Sequence, residues 1–180
     1  MSDLYERIVS ERNGYEKVMA RIPGFRGYMD KGSRRAADRM VRDYVAGQLK
    51  VQIDRLVQVE RQLLDAGGLS YMSKTDSART KLQTYHDRVA TAMPGYAGLD
   101  DPLKIQGEEL DHLYAFDESQ IRYVDQIKAA IDGLATAVAA NEKIDDAIHA
   151  LDAVTIEANQ AFSMREDVIR TIGKSMGSES

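Results

Sequence analysis

Two short stretches carry the residue types that metal chemistry uses. Glu109-Leu-Asp-His112 puts a carboxylate and an imidazole on one face of a helix, one turn apart. Asp146-Ala-Ile-His149 repeats that spacing with Asp in place of Glu. Ferritin-like di-iron bundles use two Glu-x-x-His pairs plus a single Glu from each of two other helices. Glu60 offers one such extra carboxylate, but Glu157 shares its segment with Asp146 and His149, and residues 73–92 contain no Glu. The pattern is half present. The plainer reading makes Glu108, Glu109, Asp111 and Asp117 a solvated acidic face near a helix start, where the helix dipole favours them. A ferritin-like metal protein is therefore the alternative, and no metal, cofactor or catalytic residue is assigned.

A second cluster is basic. Arg35, Arg39 and Arg42 follow a 4-then-3 spacing that puts them on one helical face, and Arg34 adjoins them. Guanidinium forks on one face suit phosphate, an anionic surface or an acidic partner helix. Against this, Asp38 stands four residues from both Arg34 and Arg42, and Asp43 four from Arg39, which suits a local ladder of ion pairs. His86, beside Tyr85, reads as an ordinary helix histidine. No G-x-S-x-G, G-x-x-x-x-G-K or G-x-G-x-x-G motif occurs. The chain reads as non-enzymatic.

Five segments with helical periods must position these groups. Leu4, Ile8, Glu11, Tyr15, Val18 and Ile22 step by four and three, and Pro23-Gly24 ends the run. A second helix spans 33–66, capped by Ser33 and stopped by Gly67-Gly68. It would be about 50 Å long, so it needs long partners. A third covers 73–92 with Ala78, Leu82, Tyr85, Val89 and Met93 on one face. A fourth starts near Pro102 and carries Leu113, Phe116, Gln120, Val124, Ile127, Ile131, Leu134 and Val138. After a break at Ala140-Asn141, Ile144, Ile148, Leu151, Thr155, Ala158, Phe162, Arg165, Ile169 and Ile172 form the last stripe, over 142–172. No segment alternates with period two, so the class is all-α: an elongated antiparallel bundle of four long helices plus an N-terminal helix, with coiled-coil-like packing. One domain spans 1–173, and residues 174–180 read as a disordered tail.

Polar residues interrupt the stripes at Glu11, Gln48, Glu60, Gln120 and Arg165. Buried singly, each would cost a few kcal/mol; paired across helices, they would set register. The expectation is that Arg165 meets Glu60 or Glu11 inside the bundle.

Residues 18–30, VMARIPGFRGYMD, and 89–101, VATAMPGYAGLDD, align at a constant offset of 71. Pro23, Gly24 and Gly27 match Pro94, Gly95 and Gly98, and Phe25 matches Tyr96. This suggests a duplication into units 1–66 and 73–139, each bent at a Pro-Gly-aromatic elbow whose aromatic packs back on the bundle. Two such units would pair about a pseudo-twofold axis. The stretch 22–49, IPGFRGYMDKGSRRAADRMVRDYVAGQL, resembles a block of an uncharacterised bacterial all-helical family with a Pro-Gly-aromatic-x-Gly elbow. The resemblance implies a bacterial origin and no particular activity.

Composition bounds the rest. The chain has 180 residues, net charge −5 and no Cys, which excludes a disulfide scaffold, a thiolate metal site and a cysteine nucleophile. No apolar run is long enough to span a membrane and the N-terminus lacks a signal core, so a cytoplasmic protein is expected. The negative balance argues against sequence-specific nucleic-acid binding. Residues 1–92 hold 17 basic and 12 acidic residues, net +5, and 93–180 hold 7 and 17, net −10. Such asymmetry suggests that the halves face each other within one chain or between copies; the plainer reading is drift in surface composition. Together these features predict a self-associating helical interaction or scaffold protein, partnered by its own copies or another helical protein, with peripheral contact to anionic surfaces as a further alternative.

Overall fold

The computed structural model describes residues 2–28, 34–92 and 107–174. The described residues form six α-helices and no strand, the all-α class that the periods predict: α1 (Asp3–Val9), α2 (Gly14–Arg21), α3 (Arg34–Asp65), α4 (Met72–Thr91), α5 (Gly107–Ala140) and α6 (Ile144–Lys174). Ser33, Met93, the second elbow (Pro94, Gly95, Tyr96, Gly98), Pro102 and the tail beyond Lys174 lie outside the described residues.

Local signals end the long helices where the sequence has its breakers. After α3, Gly67 takes φ +83°, its N–H donates to Leu64 O, and Gly68 N–H donates to Leu63 O at 2.9 Å. That is the paired closure of a Schellman turn, which satisfies the last carbonyls. After α5, Asn141 takes the left-handed role at φ 52°, with Glu142 N–H donating to Ala137 O. Asn tolerates that conformation because its short polar side chain does. Gly173, expected to end the last helix, lies inside α6.

One element is corrected. The N-terminal segment is two helices, not one. α1 stops at Val9, and Asn13, at φ 63°, starts α2 at a new angle. The Asn13-Gly14 pair is the local signal, because both residues accept conformations that break a helix. Glu11 therefore leaves the stripe: it is half-buried at the surface and pairs with Lys17 at 3.0 Å and with Arg122 at 3.5 Å. The Lys17 contact, with Arg122 behind it, holds its carboxyl below the usual range.

The four long helices pack as a square. α3 lies against α4 and α5, and α6 lies against α4 and α5, so α4 and α5 occupy a diagonal. Consecutive helices run antiparallel, yet two of the four side contacts are parallel. The α4–α6 side shows this as a ladder at seven-residue steps: Lys74 to Asp145, Lys81 to Asp152 at 2.7 Å, and Arg88 to Asn159 at 2.9 Å. Every stripe residue of α4, α5 and α6 named above within the described side chains is buried. On α3, Tyr44 and Gln48 are half-buried, and Ala37, Val41, Leu49, Ile53, Leu56, Glu60 and Leu63, which continue the same apolar stripe, are buried.

α1 packs on α5 and α6, with Ile8 fully buried, and α2 packs on α5. Gly14 lets α2 approach closely: a Cβ there would come within 2.8 Å of the Tyr114 carbonyl carbon and oxygen. The opposite charges of the two halves meet within the chain. Besides the ladder, Arg21 grips Asp125 through two nitrogens at 2.7 and 2.8 Å, Arg7 pairs with Glu157, and Arg55 with Asp132. Exposed pairs of this kind contribute about 0–1 kcal/mol each. Their joint role is to set which half faces which.

Candidate functional site

Arg165 is the centre of the polar core. It stands where the α6 stripe calls for an apolar residue, and only 1% of it is exposed. Its Nε donates to Asp117 Oδ1 at 2.6 Å, and its Nη2 donates to Asp38 Oδ1 at 2.7 Å and Tyr28 Oη at 3.2 Å. Tyr28 Oη donates to the second Asp117 oxygen at 2.7 Å. Arg42 Nε donates to the second Asp38 oxygen at 2.9 Å, and Arg34 Nε donates to the Tyr28 carbonyl. α3, α5, α6 and the first elbow thus each send side chains to one point.

The expected partners of Arg165 are corrected here. Neither Glu60 nor Glu11 reaches it. Glu60 is buried but pairs with Arg79 at 3.4 Å on the α4 side, and burial raises its carboxyl pKa. Glu11 is half-buried at the surface. Asp117 is also corrected: it belongs to the sealed core and not to a solvated face. It adjoins Phe116 on the stripe edge, where a short side chain still reaches inward. Tyr28, Asp38 and Asp117 are the members of the cluster that the sequence does not announce; Asp38 is legible only as a local partner of Arg34 and Arg42.

The elbow explains why Tyr28 arrives. Pro23 ends the run of α2, Gly24 turns at φ +78°, and Phe25 N–H closes the turn on Ile22 O at 3.2 Å. Phe25 is buried and packs on Tyr15 and Tyr28, as expected for the elbow aromatic. Gly27, at φ +74°, then lets the chain pass between Tyr15 and Tyr114. Tyr28 N–H donates to Tyr114 Oη at 2.7 Å. Burial raises the Tyr114 hydroxyl to about 12 and the Tyr28 hydroxyl well above its usual value, so both stay neutral.

Electrostatics distinguish the two carboxylates. Burial pushes Asp38 up, but Arg165 and Arg42 together outweigh it and hold its pKa below the ordinary value. Burial wins at Asp117, whose pKa is raised despite Arg165. By linkage, the stability that Asp38 contributes is present at neutral pH and is lost as pH falls through its lowered pKa. Tyr28→Phe removes a donor from Asp117 and an acceptor from Arg165, both sealed from water. It is expected to lower stability by about 1–3 kcal/mol in urea unfolding; an unchanged midpoint would remove Tyr28 from the cluster.

No family, curated protein or solved structure matches this chain in comparisons with known proteins.

The two candidate metal pairs do not converge. Glu109 and His112 line a groove of about 360 Å³ with Ser2, Tyr5, Met164 and Asp167, beside the C-terminal half of α6. Asp146 and His149 lie at the other end of α6. Residues 149 and 167 of one helix are about 27 Å apart. Glu60 pairs with Arg79 instead. Among the described residues no group of three or more His, Asp or Glu is placed to hold a metal ion. Tyr5 Oη lies 3.5 Å from His112 Nδ1, and their rings meet edge to face.

The four arginines do not form one surface. Arg34 and Arg42 are buried among the core partners, whereas Arg35 and Arg39 are exposed. Arg42 pairs with Asp38, and Arg39 lies 3.6 Å from Asp43, so two of the expected ladder pairs form. Arg35, Arg39 and Arg42 nevertheless border a common groove between the start of α3 and the end of α4, with Asp43 and Ala90–Ala92.

Proposed function

We propose that the protein is a non-enzymatic helical interaction protein that self-associates, with a second copy covering the α4–α6 face. The observation that carries this reading is the uneven cover of the bundle. α1 and α2 lie against α5, while the α4–α6 side keeps a groove of about 440 Å³ lined by Thr80, Thr84, Arg88, Ile156, Gln160 and Ser163. Ile156 is 42% exposed there, an apolar anchor on an otherwise polar face. Charge selects the occupant. Lys74, Lys81 and Arg88 run along α4, and Asp145, Asp152 and Glu166 along α6. A twofold axis parallel to the seam sets each copy's basic row against the other's acidic row, whereas an axis across it sets like rows together.

The reading goes with a bacterial, cytoplasmic setting. No helix among the described residues is long and apolar enough to cross a membrane. Perturbed titratable groups usually mark reaction sites. Here three of the perturbed groups, Tyr28, Asp117 and Arg165, are spent on one another in the interior.

Sedimentation velocity over a wide concentration range tests this. A dimer is expected for the natural chain, and a monomer of unchanged helicity for Ile156→Lys. A natural chain that stays monomeric throughout, or an Ile156→Lys dimer, overturns the reading. Native mass spectra of the same preparation check the ferritin-like alternative: added mass of one or two transition metals per chain would put it first.

A further inference from the structure

We propose that Asn13-Gly14, the joint between α1 and α2, is a self-modifying site: the Gly14 backbone nitrogen displaces ammonia from the Asn13 side chain, at a rate governed by the docking of α1. It is the one Asn-Gly pair in the chain. The proposal is independent of self-association, because it uses no residue of the α4–α6 groove.

Three features make the joint reactive. Gly14 has no Cβ to shield its nitrogen. That N–H is the first of α2, so no carbonyl of the helix itself accepts it. The Asn13 side chain is exposed and makes no capping hydrogen bond, which leaves its carbonyl carbon open to attack. The step needs only the chain and water. The Gly14 nitrogen gives its proton to solvent base and bonds to Asn13 Cγ. The Cγ–Nδ2 bond breaks, ammonia leaves with a proton from solvent, and a succinimide ring remains. Water then opens the ring. Cleavage at Cγ leaves an ordinary aspartate at position 13. Cleavage at the main-chain carbonyl leaves the chain running through the β-carbon, as isoaspartate.

The docked fold holds this reaction back. At φ 63° and ψ 33°, Asn13 turns the Gly14 nitrogen away from its own Cβ, so ring closure requires rotation about ψ. Neither flank can turn in place. Gly14 sits against α5, where a Cβ would come within 2.8 Å of the Tyr114 carbonyl. α1 is pinned by the fully buried Ile8, by Tyr5 against His112 and Phe116, and by Arg7 on Glu157. Yet α1 has seven residues, and it opens at a lower cost than the long helices of the bundle. Undocking α1 frees the rotation without global unfolding. Isoaspartate then adds a backbone atom at a joint with no slack on the α2 side, so α1 no longer returns to its register and the release becomes permanent.

The test is peptide mapping by mass spectrometry of the full chain, aged in warm, mildly alkaline buffer. A protein-isoaspartate methyltransferase scores the isoaspartate product. Modification at Asn13 is expected to outrun that at Asn141 and Asn159, whose following residues, Glu142 and Gln160, carry side chains. Ile8→Ala removes the buried anchor of α1 and is expected to speed modification at Asn13 about tenfold or more. Arg7→Gln, an exposed change, is expected to speed it about twofold, and it serves if Ile8→Ala does not fold. Leu63→Ala weakens the core at the Gly67-Gly68 end of α3, away from α1, and is expected to leave the rate unchanged. The proposal is overturned if Asn13 is modified no faster than Asn141 and Asn159, or if neither α1 variant speeds it. It is overturned as well if Leu63→Ala speeds it as much as the α1 variants do, which would make global unfolding the route.

Discussion

Arg165→Met is expected to destabilise the protein by about 3–5 kcal/mol at neutral pH, the usual consequence of breaking a buried ion cluster from one side. The guanidinium serves Asp38, Asp117 and Tyr28 at once. Without it, among the described residues Asp117 keeps the Tyr28 hydroxyl and Asp38 keeps Arg42. Both carboxylates are fully buried, so each would remain as a charge in a low-dielectric interior or take up a proton. Burial then raises both folded-state pKa values above their unfolded values. By linkage, the variant is least stable at neutral pH, and its deficit against the natural chain shrinks as pH falls toward the carboxylate range. Urea unfolding from neutral pH to about pH 4 measures this. Adding Asp38→Asn and Asp117→Asn to Arg165→Met removes the orphaned charges and is expected to restore part of the loss. A single variant within about 1 kcal/mol of the natural chain at neutral pH would show that the cluster is not what aligns the helices.

Gly27→Ala carries the second largest expected effect, a loss of about 3 kcal/mol from two sources. At φ +74° an L side chain costs about 1–2 kcal/mol in backbone strain. The new Cβ would also sit 2.6 Å from Tyr15 Cε2 and 2.7 Å from Tyr114 Oη, and overpacking of this kind costs about 1–3 kcal/mol. Tyr114 cannot retreat without releasing the Tyr28 N–H, whose bond to it is 2.7 Å. Gly24→Ala is the control. Its φ is +78°, but nothing lies within 4 Å of the new Cβ, so only the backbone strain remains. The difference between the two variants in thermal or urea unfolding isolates the packing contribution. Equal losses would mean that the elbow matters as a turn only, and not as the passage that delivers Tyr28.

The legible and illegible parts of this protein divide by the range of the interaction. The apolar stripes of α4, α5 and α6 are local patterns, and they turned inward as their periods required. The breakers at Gly67-Gly68 and Asn141 act on neighbouring backbone groups alone, and the helices end there. Asn13-Gly14 is an equally local signal, but the steps from Leu4 to Ile22 ran across it without losing phase, so one helix was expected where two exist. The five polar stripe positions were visible as anomalies. Three of them, Glu60, Gln120 and Arg165, are buried, and Gln48 and Glu11 are half-buried.

By itself the sequence determined an all-α chain, the extents of its long helices, the inward faces of α4, α5 and α6, the bend at Pro23-Gly24 and the attraction between a basic and an acidic half. Only the tertiary structure decided which helices stand side by side and which charge answers which. Lys74, Lys81 and Arg88 find acids or amides of α6, and Arg165 finds Asp38 and Asp117 where Glu60 and Glu11 had seemed the natural partners. The physical reason is that a helical period depends on each residue and its neighbours three or four places away. The partner of a buried charge depends on the rotation and axial register of several helices at once. Those are set by the summed packing of the whole core, so no short stretch of sequence contains them.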